Sequence, residues 1–175
     1  MRKSKLTKLA LEALAQEFEV LESMEAKTFI GGGDLYAVFS RSEGVIYFYD
    51  DNGTLDASDD IFLYSGLAHN NVANGYNPWP NGTFEMLDQS SGHHHSNGDT
   101  TNGSYGTSGI YRALNFYDPD VDKTRTGMGI HSGRANQDFE DRVTYGCIRV
   151  EQSTMDKIDE YVNGGMKFKT ITVKE

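Results

Sequence analysis

Cysteine is almost absent. The chain carries one, Cys147, so no intramolecular disulfide can form and a disulfide-stapled scaffold is excluded. Basic charge is also scarce: 16 Lys and Arg stand against 26 Asp and Glu, for a formal net charge of −10. No basic patch offsets that acidity, which argues against a nucleic-acid partner and against binding to anionic membrane surfaces. Solubility alone is enough to explain the excess acid. No apolar run is long enough to span a bilayer, so no membrane insertion is expected. The basic start lacks an uninterrupted apolar stretch and a small-residue cleavage site, so no classical secretory signal is predicted.

What is present points to a turn-rich β protein. Glycine is abundant, at 19 residues, and ten Tyr and nine Phe can carry a core although only 37% of the chain is hydrophobic. A length of 175 residues allows one domain with a tail. The first 32 residues differ from the rest. Leu6, Leu9, Ala10, Ala13, Leu14, Phe18 and Leu21 recur at helical spacing, and Gly31-Gly32-Gly33 stops the pattern. This stretch holds five basic and five acidic residues, so residues 33–175 carry the whole net charge. That shift marks a domain boundary at 32/33.

Beyond the boundary the period becomes that of strands. Strands are predicted at 35–39 and 45–49, joined by a turn at 42–44, and at 61–64, 83–87, 110–116, 128–131, 147–150 and 166–173. Ser90 to Ser108 is rich in Gly, Ser, Asn, Thr and His and reads as a loop or lid. One late helix is expected, with Ser153 and Asp156 as its capping box, Met155, Ile158 and Val162 as its apolar stripe and Asn163-Gly164-Gly165 as its stop. The expected class is mostly β with that one helix.

The lone cysteine sits in Thr144-Tyr145-Gly146-Cys147-Ile148-Arg149-Val150, downstream of Gly129-Ile130-His131-Ser132-Gly133. A buried Cys packs as a small hydrophobe, but these neighbours suit a nucleophile. Its ordinary pKa near ~8.5 leaves it protonated at neutral pH, so a base or cation must help. His131 is the best base, with a structural histidine as the alternative. The backbone amides of Tyr145, Gly146 and Cys147 can converge on an oxyanion. In a strand, Arg149 shares a face with Cys147 and can lower the thiol pKa or grip a substrate carboxylate. The alternative is a salt bridge to Glu140, Asp141 or Glu151. The run His93-His94-His95 near Asp99 is a weak metal candidate, because adjacent residues point apart, and no metal site is expected. Trp79, between Pro78 and Pro80, is either a core-capping turn residue or a sugar platform. His69 is a lone loop histidine with no evident role.

These segments resemble the L,D-transpeptidase catalytic domain, whose hallmark is a His-Gly segment followed by Ser/Thr-x-Gly-Cys and Ile/Val-Arg. Pro80-Asn81-Gly82-Thr83-Phe84 and Arg112-Ala113-Leu114-Asn115-Phe116 resemble two further strands of that family. The likeness runs from about Leu35 to Val173 and implies a β-sandwich or barrel with one late helix. It implies a Cys147 thioester on peptidoglycan stem peptides, with His131 taking the thiol proton and no cofactor. It also implies that the backbone carbonyl of Ser132 or Gly133 orients His131, that Gly146 serves the oxyanion loop, and that Arg149, Thr144 and Tyr145 serve substrate binding or loop support. The chain departs from the pattern at Ser132, where Gly is usual, and at Tyr145. The alternative is a non-catalytic wall-binding module on the same scaffold.

The N-terminal segment resembles a double-glycine leader, cut by the Cys-peptidase domain of an ABC exporter. Cutting after Gly32 puts Phe29, Ala26, Leu21 and Phe18 at the apolar positions such leaders use. The resemblance implies Gly33 as the mature start and a location outside the cytoplasm. The alternative is an ordinary amphipathic helix packed on the domain or on a partner.

Overall fold

The computed structural model describes residues 32–72, 75–94, 105–133 and 143–175, which from Gly33 onward belong to one unit, Gly33–Glu175. The expected N-terminal helix lies outside these residues, as do His95 and Asp99. In chain order the elements are β1 (Leu35–Ser40), β2 (Val45–Asp50), β3 (Ile61–His69), β4 (Gly82–Glu85), β5 (Tyr111–Arg112), β6 (Phe116–Asp118), β7 (Lys123–Arg125), β8 (Gly129–His131), β9 (Ile148–Val150), α1 (Gln152–Asn163) and β10 (Phe168–Lys174). The domain is mostly β, as expected.

Eight strands form one mixed sheet in the order β4-β10-β1-β2-β3-β9-β8-β5, and β6 pairs with β7 as a separate hairpin. Alternation along β1 and β2, broken only where Ser40 is buried next to Phe39, makes this possible. Leu35, Ala37, Phe39, Ile46 and Phe48 are buried while their neighbours are less so. β10 adds Phe168, Ile171 and Val173 to the same core, pairing with β1 in parallel. The parallel pair β8–β9 lies toward the far edge, and β9 leads directly into α1.

The helix buries Met155, Ile158 and Val162, the stripe read from its period, together with Thr154. Its start differs from the expected capping box. Glu151 is the N-cap and gives no side-chain cap. Asp156 instead accepts a hydrogen bond from Gln152 Nε2 at 2.8 Å, so Gln152, already in the helix, takes up the expected box carboxylate. The stop falls where expected, with the Gly164 N–H bonded to the Glu160 carbonyl at 2.9 Å. Against β3 the fit is tight at Gly66. A Cβ there would overlap Thr154 Oγ1 and come within 3.3 Å of Thr154 Cβ. Gly66→Ala is therefore expected to cost about 1–3 kcal/mol by overpacking, read as a lower urea midpoint with unchanged slope. The double variant with Thr154→Ala recovers part of it.

The strand expected at 110–116 is two. After Arg112 the chain leaves the sheet edge: the Leu114 N–H bonds the Glu85 carbonyl at 2.9 Å, and Ala113 bridges Met86. Phe116 then starts the β6–β7 hairpin, which the alternation pattern missed because each strand has three residues. His93 is likewise no free loop residue. It exchanges two backbone hydrogen bonds with Ile110, at 2.8 and 2.9 Å. Trp79 takes the core-capping role: it is fully buried, stacked on Phe116 and tilted against Phe84. With both neighbours on its ring, it offers no face as a sugar platform.

Candidate active site

In the β8–β9 pair, Ile130 lies opposite Ile148 and His131 opposite Arg149. β3 extends the row, with His69 opposite Arg149 on the other side. His69 is thus a strand residue in line with the site, which its isolated position in the sequence did not signal. Cys147 immediately precedes β9, two residues before Arg149, so alternation gives it the face that carries Arg149 and His131. With strands ~4.8 Å apart and a rise of ~3.3 Å per residue, the Cα atoms of Cys147 and His131 lie roughly 8 Å apart, within reach of both side chains.

The segment before the thiol is clamped from two directions. Thr144 Oγ1 donates to the Cys147 carbonyl at 2.9 Å and accepts the Gly146 N–H at 3.1 Å. Asn70 Nδ2 donates to the carbonyls of both Gly146 and Cys147, at 2.8 and 2.9 Å, while its Oδ1 accepts the Trp79 N–H at 2.8 Å. Thr144 thus bonds both ends of the Gly146–Cys147 turn. The Gly146 amide is engaged inward by its hydrogen bond to Thr144 Oγ1, while no side-chain bond to the Tyr145 or Cys147 amide is found among the described residues. Asn70 was not recognisable from the sequence, because it acts across 76 residues.

Gly146 has φ +118° and touches a second cation that sequence reasoning also missed. A Cβ at Gly146 would overlap Arg125 Nη2 and lie 2.8 Å from Met128 Cε. Arg125 is held by three groups: the buried Asp118 carboxylate at 2.9 Å, the Asn77 carbonyl at 2.7 Å and Met128 Sδ at 3.4 Å. The β6–β7 hairpin exists at the right place to supply this pair.

Burial pushes the Cys147 thiol up, and the Gly129 N–H, Arg149 and Arg125 act against that. The sulfur is 3.8 Å from the Gly127 carbonyl. Burial and then Arg149 push His131 down to about 3. The resting pair is therefore a neutral thiol and a neutral imidazole. His131 Nδ1 is buried and has no hydrogen-bond partner among the described residues. The ring of Tyr105 packs edge-on against it, with centroids 5.3 Å apart.

Arg149 is only 6% exposed. Its guanidinium packs on Gly133, where a Cβ would come within 2.9 Å of Nε. The cation thus lies buried against Gly133 rather than in an open cleft. Ser132, where the family usually has Gly, has a visible use. Its Oγ donates to Gln152 Oε1 at 2.6 Å, and Gln152 Nε2 donates to Ser108 Oγ at 2.9 Å. This ties the end of the 90–108 stretch to the start of α1. Tyr145 is 70% exposed and lies tilted against the half-exposed Tyr76, with centroids 4.5 Å apart. Among the described residues, no group of three His, Cys, Asp or Glu side chains is placed to hold a metal ion. No helix among them is long and apolar enough to cross a membrane.

The depressed His131 pKa has a consequence for stability. The unfolded chain takes up a proton near the ordinary histidine value of ~6.5, and the folded chain only near 3. Stability contributed by the neutral ring is present above ~6.5 and falls as pH drops toward 3, by at most ~1.4 kcal/mol per unit. Urea melts at pH 7, 6, 5 and 4 are expected to show this slope, reduced in His131→Gln.

A mostly β domain with a Cys at the start of one strand and a His on the adjoining strand defines a class of thiol-bearing domains, and comparison with known proteins narrows it. The chain belongs to the L,D-transpeptidase catalytic domain (YkuD) family, whose sequence profile matches residues 34–171. Among solved structures, Bd1075 from Bdellovibrio bacteriovorus is similar at 13% identity and a TM-score of 0.58, covering 81% of this chain and 48% of that one. The helical cell shape determining protein Pgp2 from Campylobacter jejuni is similar at 16% identity and a TM-score of 0.54, covering 82% and 48%. At these identities the likeness is one of fold, and this chain spans about half the length of each. No curated protein sequence matches the chain.

Proposed function

We propose that this protein is an exported cysteine acyltransferase or peptidase acting on peptidoglycan stem peptides. The observation that carries the reading is the placement of Cys147 on the same face as His131 and Arg149, with its own backbone clamped by Asn70 and Thr144. Family membership supports the substrate class.

In this reading the resting thiol is uncharged, and its proton passes to His131 only as the sulfur bonds to the carbonyl carbon between an L-centre and a terminal D-residue. The carbonyl oxygen becomes the oxyanion, met by the amides of Tyr145 and Cys147. Collapse of this intermediate breaks the C–N bond, the D-amino acid leaves with the proton held by His131, and a thioester remains. An amine then gives a cross-link, or water gives trimming. Arg149 below the site and Arg125 against Gly146 favour the sulfur anion and oppose the effect of burial. The exposed Tyr76–Tyr145 pair offers a platform for the stem peptide.

Export follows from the double-glycine leader: an ABC exporter with a Cys-peptidase domain removes residues 1–32 and releases a domain starting at Gly33. An antibacterial role against neighbouring cells is consistent with that route. Mass measurement of the exported protein reads the cut directly, and a start other than Gly33 or Asp34 removes the leader reading. Incubation with muropeptides, followed by mass spectrometry, tests the catalytic one. Loss or exchange of the terminal D-residue is expected. No product, together with no covalent adduct from a carbapenem, overturns it. A wall-binding module without catalysis is the second reading, favoured by the uncharged resting pair.

A further inference from the structure

Asp50 is fully buried, and among the described residues no cation pairs with it. Its place follows from the alternation of β2: Ile46 and Phe48 face the core, and Asp50 is the next residue on that side. Its Oδ1 accepts the Asn52 N–H at 2.8 Å, and its Oδ2 has no hydrogen-bond partner. A buried carboxylate without a cation is costly, and such groups are normally paired.

The next residue supplies a second carboxylate. Asp51 Oδ1 accepts the N–H groups of Asp34 and Gly53, at 2.7 and 2.9 Å. The Asp51 N–H in turn donates to the Asp34 carbonyl at 3.0 Å, which fixes the stretch before β1 against the end of β2. Both carboxylates close on one residue of that stretch, the partly buried Gly33. A Cβ on Gly33 would overlap Asp50 Oδ1 and Asp51 Oδ1 alike. A backbone nitrogen lies ~2.5 Å from its own Cβ position, so the Gly33 nitrogen is within roughly 5 Å of both oxygens. Lys169 pairs with Asp34 at 3.5 Å, and not with Asp50 or Asp51.

We propose that Asp50 and Asp51 form the binding site for the α-ammonium of Gly33, created when the chain is cut after Gly32. The proposal rests on the leader reading above, which makes Gly33 the first residue. In the uncut chain this nitrogen is an amide with one N–H and no charge. Hydrolysis of the Gly32–Gly33 bond adds one water, whose oxygen goes to the Gly32 carboxylate and whose two hydrogens go to the Gly33 nitrogen. The product is a cation with three donors beside two carboxylates, one of them buried with an oxygen unserved. Removal of the leader thus completes an ion pair within the domain, and the released domain is more stable than its precursor.

Phe29→Ile, Ile30→Glu and Gly32→Arg together place Ile-Glu-Gly-Arg before Gly33, so factor Xa cuts the folded full-length chain and leaves Gly33 first. Cut and uncut chains are compared, each with and without Asp50→Asn, which keeps the shape and the Oδ1 acceptor and removes the charge. Cutting is expected to raise the urea midpoint of the parent and not that of the variant. Asp50→Asn is expected to stabilise the uncut chain, by removing an unpaired charge, and to destabilise the cut one. Reductive methylation of the new α-amine, read by mass spectrometry of the N-terminal peptide, is expected to be about tenfold slower in the parent than in the variant. Asp51→Asn, at a less buried position, acts in the same direction and serves if Asp50→Asn does not fold. An equal effect of Asp50→Asn on cut and uncut chains, or equal labelling rates, overturns the site. So does protection that needs added calcium and disappears with EDTA, which gives the carboxylates to a metal ion. The start of the exported protein is a separate measurement. A start elsewhere removes the leader reading even where the factor Xa product shows the pair. Equal labelling in the factor Xa product overturns the site even where export yields Gly33.

Discussion

Cys147→Ser is expected to abolish muropeptide turnover, a loss on the order of 10⁴-fold or more, and to remove every covalent carbapenem adduct. The argument is chemical before it is structural. Cys147 is the only thiol in the chain, so no second residue can form the thioester. A serine hydroxyl at the same position is far more basic when ionised, and neither Arg149 nor Arg125 lowers it enough to matter at neutral pH. The fold should be unaffected, with stability within about 1 kcal/mol of the parent, because the clamp on this loop uses the carbonyl of residue 147 and not its side chain. Intact-protein mass spectrometry and a urea melt on one preparation read both halves. Undiminished turnover in the serine variant would sink the thiol mechanism. His131→Gln is expected to lose turnover while Cys147 remains slowly alkylated at high pH, which separates a missing base from a missing nucleophile.

The second large effect belongs to Arg125 and Asp118. Arg125→Met leaves the Asp118 carboxylate, 1% exposed, without its cation. Such a broken buried pair costs about 3–5 kcal/mol. Asp118→Asn in addition removes the stranded charge and is expected to restore most of that stability. It cannot restore what Arg125 does for the thiol. Arg125 is one of the groups that favour the Cys147 anion against burial, and its guanidinium fills the space beside Gly146. The double variant is therefore expected to fold well yet alkylate slowly, with its rate-against-pH curve moved to higher pH. The sign follows from charge: loss of a nearby cation raises a thiol pKa, so less thiolate is present at any given pH. A double variant with both stability and an unshifted profile would show that the hairpin is only structural.

These expectations divide between residues legible in the chain and residues that were not. Cys147, His131, Thr144 and Arg149 announce themselves because each lies within a short segment of distinctive chemistry. The helix stripe at Met155, Ile158 and Val162 and the alternation of β1 and β2 are equally local, being consequences of period alone. Asn70, Arg125 and Asp118 carry no such mark. Asn70 follows an ordinary strand end, and the β6–β7 hairpin is two runs of three residues. The helix start was misread for a related reason: Ser153 and Asp156 have capping-box spacing, but the carboxylate was taken by Gln152.

The sequence by itself determined that this is an acidic, mostly β domain with one available thiol and a histidine and arginine close to it in two short segments. Covalent proximity and periodicity are enough for that much. Tertiary structure alone decided which charges reach Cys147, because register in the β3–β9–β8 row sets His69, Arg149 and His131 side by side. It also decided that the Gly146 amide turns inward to Thr144, that His131 rests neutral, and that Arg149 lies below the site. Each of these follows from burial and from hydrogen bonds between segments distant in the chain, and neither is encoded in the order of residues within one segment.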